Sequence, residues 1–338
     1  MIRLAEHVPL RPWNSFGIEA RARWGAEVDD EEDAVAFLMD NAHSSRPLML
    51  LGGGSNVLFT RDFEGVLLRV AIRGRELLSD DGDEVLLRFG AGENWHEGVR
   101  WSLENGWGGL ENLSLIPGTM GAAPIQNIGA YGVELCEVFD SLEAIHLPTG
   151  QLHRFGRADC QFGYRDSFFK QRGRGQYLIT RVCLRLSRSR PLHTAYGDIR
   201  QELEKLGRPP NHRDVSDGVI RLRQSKLPDP AQLGNAGSFF KNPVLEMPHY
   251  EALALQYPAM PHYPQADGSV KVPAGWLIEA CGWKGQRRGA CGVHERQALV
   301  LVNYGGASGA EILALSEEIQ ASVAQRFGIA LEREVNLA

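Results

Sequence analysis

No segment of this 338-residue chain approaches the roughly 18 uninterrupted apolar residues of a membrane span, and the opening MIRLAEHVPLRPWNSF lacks the apolar core of a signal peptide. A cytoplasmic protein without membrane insertion is the expectation. Cysteine is scarce: Cys136, Cys160, Cys183, Cys281 and Cys291 are odd in number and form no C-x-x-C pair, which speaks against both a disulfide framework and a zinc site. The ten histidines are scattered, none at ligand spacing from a second, so no metal is expected. Positive charge is in deficit, with 36 Lys and Arg against 42 Asp and Glu and a net charge of −6, which argues against nucleic acid as a partner. Neither G-x-G-x-x-G nor G-x-x-x-x-G-K-[ST] occurs.

What is present is an ordinary soluble composition, 43% apolar and 23% charged, in a chain long enough for two or three domains. Residues 29 to 51 predict a helix and then a strand. Asp29 with Glu32 makes a capping-box-like start, Val35, Leu38, Met39 and Ala42 recur at helical spacing, and Leu48 to Leu51 form an apolar run. Short strands dominate from residue 72 to about 190, at Glu84 to Phe89, Leu142 to Leu147, Gln151 to Phe155 and Tyr177 to Leu186. One helix interrupts them, capped by Asn94 and stopped by Gly106. Beyond Pro228 the pattern is α/β again, ending in a helix with a Ser308/Glu311 capping box and Gly328 at its close, followed by a strand from Ile329 to Leu337. Neither an exposed apolar heptad nor a long edge run stands out, so a monomer is expected.

Two glycine-rich stretches carry the chemistry. Gly52-Gly53-Gly54-Ser55-Asn56 follows the strand Leu48 to Leu51, and a strand leading into a glycine turn is how backbone amides are freed to cradle a phosphate. The second, Gly109 to Gly132, holds five glycines and no charge beyond Glu111, which suits backbone lying close against something flat. A hairpin turn and a buried packing loop would have the same compositions.

With Asn14-Ser15-Phe16-Gly17-Ile18, Gly163 to Lys170 (GYRDSFFK) and Gly234 to Pro243 (GNAGSFFKNP), these stretches resemble, in the same order, the motifs of the UDP-N-acetylenolpyruvoylglucosamine reductase family. The resemblance spans nearly the whole chain. It implies an α+β chain with the FAD-binding fold of the vanillyl-alcohol-oxidase (PCMH) type in two subdomains, 1–71 and 72–226, the latter completed by 329–338. A third α/β substrate domain would cover 227–328. It also implies FAD as cofactor, NADPH as hydride donor, and UDP-N-acetylglucosamine enolpyruvate as the substrate reduced to UDP-N-acetylmuramate for peptidoglycan.

Residue by residue, the resemblance puts the FAD pyrophosphate on Gly52, Gly53, Gly54, Ser55 and Asn56. The flavin would lie along Ile116, Pro117, Gly118, Thr119, Gly121, Ala122, Gln126, Asn127, Ile128 and Gly129. Arg165 matches the arginine that clamps the substrate carboxylate in two-pronged fashion; a surface arginine paired with Asp166 would look the same. Ser238, with no histidine base beside it, matches the family's proton donor to carbon, though a serine there also suits a plain turn. Glu334 faces away from Leu331, Val335 and Leu337 by strand parity, as an exposed carboxylate would, and matches the third catalytic residue. Tyr131, Tyr164, Tyr196, Lys226, Asn242, Tyr263, Lys271, Lys284 and Gln297 match positions facing substrate, its diphosphate or nearby loops; Tyr196 resembles a tyrosine on a loop that closes over the nucleotide sugar. An oxidase on the same flavin fold would need no Arg165, Ser238 and Glu334, and a flavin-free nucleotide-sugar binder would have no use for Gly109 to Gly132.

Overall fold

The computed structural model describes residues 2–40, 46–196 and 198–338. Where the sequence suggests three regions, contacts group the chain into two compact units. The first comprises Met1–Val8, Ala22–Gly54 and Phe63–Ser225, the second Pro9–Arg21, Ser55–Asp62 and Lys226–Ala338.

The first unit contains two sheets. One orders its strands Ala5–Pro9, Arg21–Val28, Phe63–Val70, Leu48–Leu51, with Phe63–Val70 parallel to both of its neighbours. Helix Glu31–Met39 packs here through Ala34 and Phe37, against Val28, Val66, Leu68, Ile145 and Leu178. Its cap is Asp30 rather than Asp29. The Asp30 backbone is extended, and its carboxylate accepts from the N–H groups of Glu32 and Asp33, so the helix starts one residue later than the pattern suggested.

The other sheet is antiparallel, in the order Leu152–Gly156, Phe139–His146, Tyr177–Ser187, Glu84–Gly90, Arg75–Asp80. Its edge strand Arg75–Asp80 escapes sequence reasoning because its apolar residues, Leu77 and Leu78, are adjacent rather than alternating, and both stay exposed. Helix Trp95–Glu104 is capped as expected. Asn94 Oδ1 accepts from Glu97 N at 3.0 Å, and Gly106 past its end takes φ +79°. Trp95 and Val99 from this helix join Val85, Leu87 and Phe89 in the larger core.

In the second unit a sheet runs Gly234–Ser238, Val300–Asn303, Cys291–Val293, Arg287–Arg288, beside a small one of Val244–Leu245, Val270–Lys271 and Tyr263–Pro264. Helices Met247–Gln256, Ala274–Ala280 and Gly309–Phe327 accompany them. The last has the expected reciprocal Ser308/Glu311 box and a left-handed Gly328 cap at φ +68°. The tail departs from the sequence pattern: of Ile329 to Leu337, only Asn336–Leu337 forms a ladder, parallel to Val57–Leu58, with an isolated Phe240–Arg333 bridge before it. Further bonds, among them Lys241 N to Glu332 O, Glu334 N to Phe239 O and Gln320 Nε2 to Leu331 O, tie it to scattered segments of the second unit. Residues 329–338 therefore group with the second unit, where the sequence division had put them with 72–226.

Candidate active site

The two glycine stretches meet. A Cβ on Gly52 would lie 2.6 Å from the Thr119 side-chain Oγ1 and one on Gly53 3.0 Å from Gly118 Cα, so the turn meets the second stretch closely, backbone against backbone at Gly53 and Gly118. Gly54 closes the turn at φ +64°. The glycines belong to the first unit, while Ser55 and Asn56 fall in the second.

The second stretch is held from its other side. Trp95 N donates to Gly118 O at 3.1 Å, Met120 N to Glu93 O at 2.9 Å, and Gly121 N to Ala91 O at 2.8 Å. Leu115, itself at φ +59°, donates its N–H to His96 Nδ1 at 3.0 Å. That bond requires a neutral ring with the proton on Nε2. Burial, and then the Arg100 and Arg223 charges, hold His96 below its ordinary value against an opposing Glu97, which keeps it neutral. The stretch runs into a short 3-10 helix, Met120–Gln126; Gly121 backs onto Ala91 and Gly118 onto Gly53, so its glycines serve close packing against the strand side and against the glycine turn.

Arg165 is clipped onto the end of this stretch. Gly163 and Asp166 pair across a tight turn. Asn127, left-handed at φ 44°, donates its Nδ2 to Gly163 O at 3.1 Å, and Ser167 Oγ donates to Ile125 O at 2.6 Å. Arg165, also left-handed at φ 54°, donates from Nη2 to Gly129 O at 2.6 Å, while Lys170 Nζ supports the Arg165 carbonyl at 3.0 Å. A non-glycine residue held at positive φ stores strain, and such strain concentrates where a side chain must be aimed. Asp166 gives its carboxylate to Ser167 N and Gln171 Nε2. Tyr164 stacks under the Arg165 guanidinium at 5.3 Å. Tyr131, at φ 51°, meets Tyr196 edge to face at 6.0 Å.

Within the second unit, Ser238 stands exposed at the end of its strand, after Gly237 at φ +69° and before the fully buried Phe239 and Phe240. Glu334 is its near neighbour, since Glu334 N donates to Phe239 O at 2.9 Å. Leu331 and Val335 are buried and Glu334 is half-buried, but Leu337, expected on the same buried side, is exposed, and the chain before Asn336 is not a regular strand, so strand parity does not account for the pattern. Asn56 Nδ2 donates to Glu334 O at 3.2 Å, tying the end of the glycine turn to this carboxylate's backbone. Tyr263 and Lys271 pair across two short strands. Asn242 Oδ1 accepts from Ala274 N at 2.9 Å, Lys284 pairs with Glu279 at 2.9 Å, and Gln297 Oε1 accepts from Leu299 N. Lys226 is exposed at the end of helix His212–Lys226.

Thus the structure joins the glycine turn to the second glycine-rich stretch and Arg165 to Gly129 in one unit, and Ser238 to Glu334 in the other. Sequence reasoning passed over His96, counted among the scattered histidines, although its ring holds Leu115 N–H at the start of the second stretch. No cluster of three or more metal-binding side chains occurs among the described residues.

Residues 25–156 match the family described as FAD binding domain, and residues 229–338 the family described as UDP-N-acetylenolpyruvoylglucosamine reductase, C-terminal domain. The UDP-N-acetylenolpyruvoylglucosamine reductase of Pseudomonas aeruginosa is 55% identical over 99% of both chains. That of Paraburkholderia phymatum is 53% identical over 96% of this chain and 95% of its own. Among solved structures, the enzyme of that name from Thermus caldophilus aligns with a TM-score of 0.70 at 23% identity, covering 100% of this chain and 99% of its own. A solvent-stable cholesterol oxidase aligns at 0.50 and 13% identity, over 98% and 87%. The α+β fold is that of FAD-binding flavoproteins of the vanillyl-alcohol-oxidase type, as expected.

Proposed function

The chain belongs to the UDP-N-acetylenolpyruvoylglucosamine reductase family, and on that premise we propose that it reduces UDP-N-acetylglucosamine enolpyruvate to UDP-N-acetylmuramate with FAD and NADPH, as a cytoplasmic monomer serving peptidoglycan synthesis. When bound, FAD supplies the hydride chemistry, taking a hydride from NADPH and giving it to the enolpyruvyl double bond. The observation that supports the reading in this chain is the strained Arg165 fastened to Gly129, at the end of the stretch that packs against the glycine turn.

The chain's own residues then divide the work. Gly52 to Asn56 hold the pyrophosphate, and Ile116 to Gly129 carry the ring. Arg165 clamps the substrate carboxylate, where charge builds as hydride arrives, so its attraction is greatest in the transition state. Ser238 delivers its hydroxyl proton to the α-carbon. Glu334 polarises the same carboxyl end, its backbone set by the bonds from Glu334 N to Phe239 O and from Asn56 Nδ2 to Glu334 O. Tyr131, Tyr164, Tyr196, Lys226, Asn242, Tyr263, Lys271, Lys284 and Gln297 meet the nucleotide sugar and its diphosphate.

Stopped-flow absorbance of Ser238→Ala tests this assignment. Flavin reduction by NADPH should stay within a few-fold of the parent, while reoxidation by the enolpyruvyl substrate should slow by about 10²–10⁴-fold, the usual worth of general acid catalysis. Equal losses in both half-reactions would make Ser238 a packing residue.

A further inference from the structure

Two tight turns lie against each other where Arg165 is held, and Glu134 is coupled to both. The first carries Arg165 itself, between the paired Gly163 and Asp166. The second is the ladder of Gly129–Ala130 on Val133–Glu134, which reverses at Tyr131 and Gly132, both left-handed at φ 51° and 82°. Gly129 stands opposite Glu134 in that ladder, and its carbonyl accepts from Arg165 Nη2 at 2.6 Å. A Cβ on Gly129 would meet Arg165 Nη1 at 2.9 Å and Glu134 Cγ at 3.0 Å, so the guanidinium and the glutamate flank the same backbone position.

The Glu134 carboxylate reaches the arginine turn through Asn127. That side-chain amide is wholly buried and fully engaged. Its Oδ1 accepts from Cys136 N at 3.0 Å, while Nδ2 donates to Glu134 Oε2 at 2.8 Å and to Gly163 O at 3.1 Å. The Gly163 carbonyl also takes Asp166 N across the turn at 3.2 Å. Glu134 thus decides which way the amide points, with its nitrogen end towards Gly163. Without that acceptor, one Nδ2 hydrogen is buried and unbonded, and an amide flip that relieves this sets Oδ1 against Gly163 O, acceptor facing acceptor. Either outcome pushes the Arg165 turn away from Asn127. A carboxylate in this place makes the holding bond charge-assisted.

We propose that Glu134 is the positioning residue for Arg165, setting the guanidinium through the Asn127 amide, which carries the turn, and through the Gly129 carbonyl, which receives Nη2. The proposal rests on the reading of Arg165 as the clamp on the substrate carboxylate. Glu134 itself touches no reacting atom, because its carboxylate is taken up by Asn127. Arg165 is left-handed at φ 54° and tied at Nη2, so its side chain has few ways to compensate for a displaced turn. A misplacement of about 1 Å at such a clamp costs about 10²-fold in rate, since the fork is rewarded only when aligned in the transition state.

Stopped-flow kinetics of the flavin-loaded Glu134→Ala, Glu134→Gln and Glu134→Asp variants test this. Glu134→Ala should slow reoxidation of the flavin by the enolpyruvyl substrate about 10²-fold and leave reduction by NADPH close to the parent rate. Glu134→Gln keeps an acceptor at the same reach and should restore near-parent rates. Glu134→Asp keeps the charge but falls one methylene short of Asn127, so it should resemble alanine, and it replaces the alanine variant if that one loses flavin. Coupling is the further readout: in an Arg165→Lys background, Glu134→Ala should cost less than about threefold, because the group it positions is gone. An undiminished loss in that background, or equal losses in both half-reactions, would overturn the proposal and make Glu134 a support of the fold alone. A glutamine variant as slow as alanine beside a near-parent aspartate variant would overturn it too, because charge and not the bond to Asn127 would then matter. So would parent rates in all three. A parent enzyme whose reduced flavin is not reoxidised by the enolpyruvyl substrate would instead refute the proposed function, an outcome visible before any variant is made.

Discussion

Replacing Gly121 with alanine probes how rigidly the second glycine-rich stretch is held. A methyl group there would lie 2.5 Å from Ala91 Cβ, 3.0 Å from Ala91 Cα and 3.2 Å from Ala91 O. Carbon atoms in contact rest at about 3.5–4.0 Å, so the two chains must part by about 1 Å. Ala91 has little freedom to yield, being buried, with its N–H donating to Thr180 O at 2.8 Å. The stretch must then move, lengthening the 2.8 Å bond from Gly121 N to Ala91 O and the 2.9 Å bond from Met120 N to Glu93 O. Overpacking costs about 1–3 kcal/mol and each of the two weakened bonds about 0.5–1.5 kcal/mol, so a loss of about 2–6 kcal/mol is expected. Urea unfolding followed by circular dichroism measures it. The movement also displaces Thr119 and Ala122, the residues that face Gly52 of the glycine turn, so the flavin-to-protein absorbance ratio after gel filtration should fall as well. An unchanged urea midpoint with full flavin would refute the picture of a rigid stretch.

Three further outcomes are expected. Gly218→Ala, inside helix His212–Lys226 and with no contact closer than 3.5 Å, should raise stability by about 0.5–1 kcal/mol in the same urea assay, since alanine is the better helix former. The Arg188 guanidinium holds the Asp80 carboxyl down at about 2. Its folded value lies below the unfolded value of about 3.9, so the stabilisation is present above pH ~4 and is lost as pH falls towards 2; Asp80→Asn should remove that step from an acid-unfolding curve. Arg165→Lys keeps the charge but not the fork, and in single-turnover kinetics it should lower kcat for enolpyruvyl reduction far more than it changes KM, leaving NADPH oxidation nearly intact. Near-parent kcat would make Arg165 a docking residue.

Legibility in the sequence followed the range of the interactions involved. Helix Gly309–Phe327 was readable with both caps because Ser308, Glu311 and Gly328 act within one turn of its ends. The glycine stretches were conspicuous because close backbone approach excludes almost every other residue, although only the structure shows that Gly53 and Gly118 are each other's reason. Strand Arg75–Asp80 and the irregular tail were not readable. An edge strand buries too little to leave an alternating pattern, and the tail takes its hydrogen bonds from Asn56, Leu58, Phe239 and Lys241 rather than from a neighbour in sequence.

Charges are the harder case, and Arg221 and Arg223 show why. They are two residues apart on one helix, of the same type, in the same basic run. Glu202, nineteen positions away in sequence, takes Arg221, which is a surface pair that a salt solution would screen. Arg223, turned by about 200° around the helix axis, finds Tyr131 and His96, and no carboxylate among the described residues. Composition and spacing treat the two as equivalent, because what separates them is the set of chain segments that folding brings to each face. An arginine's partners are tertiary facts, and neither composition nor spacing can supply them.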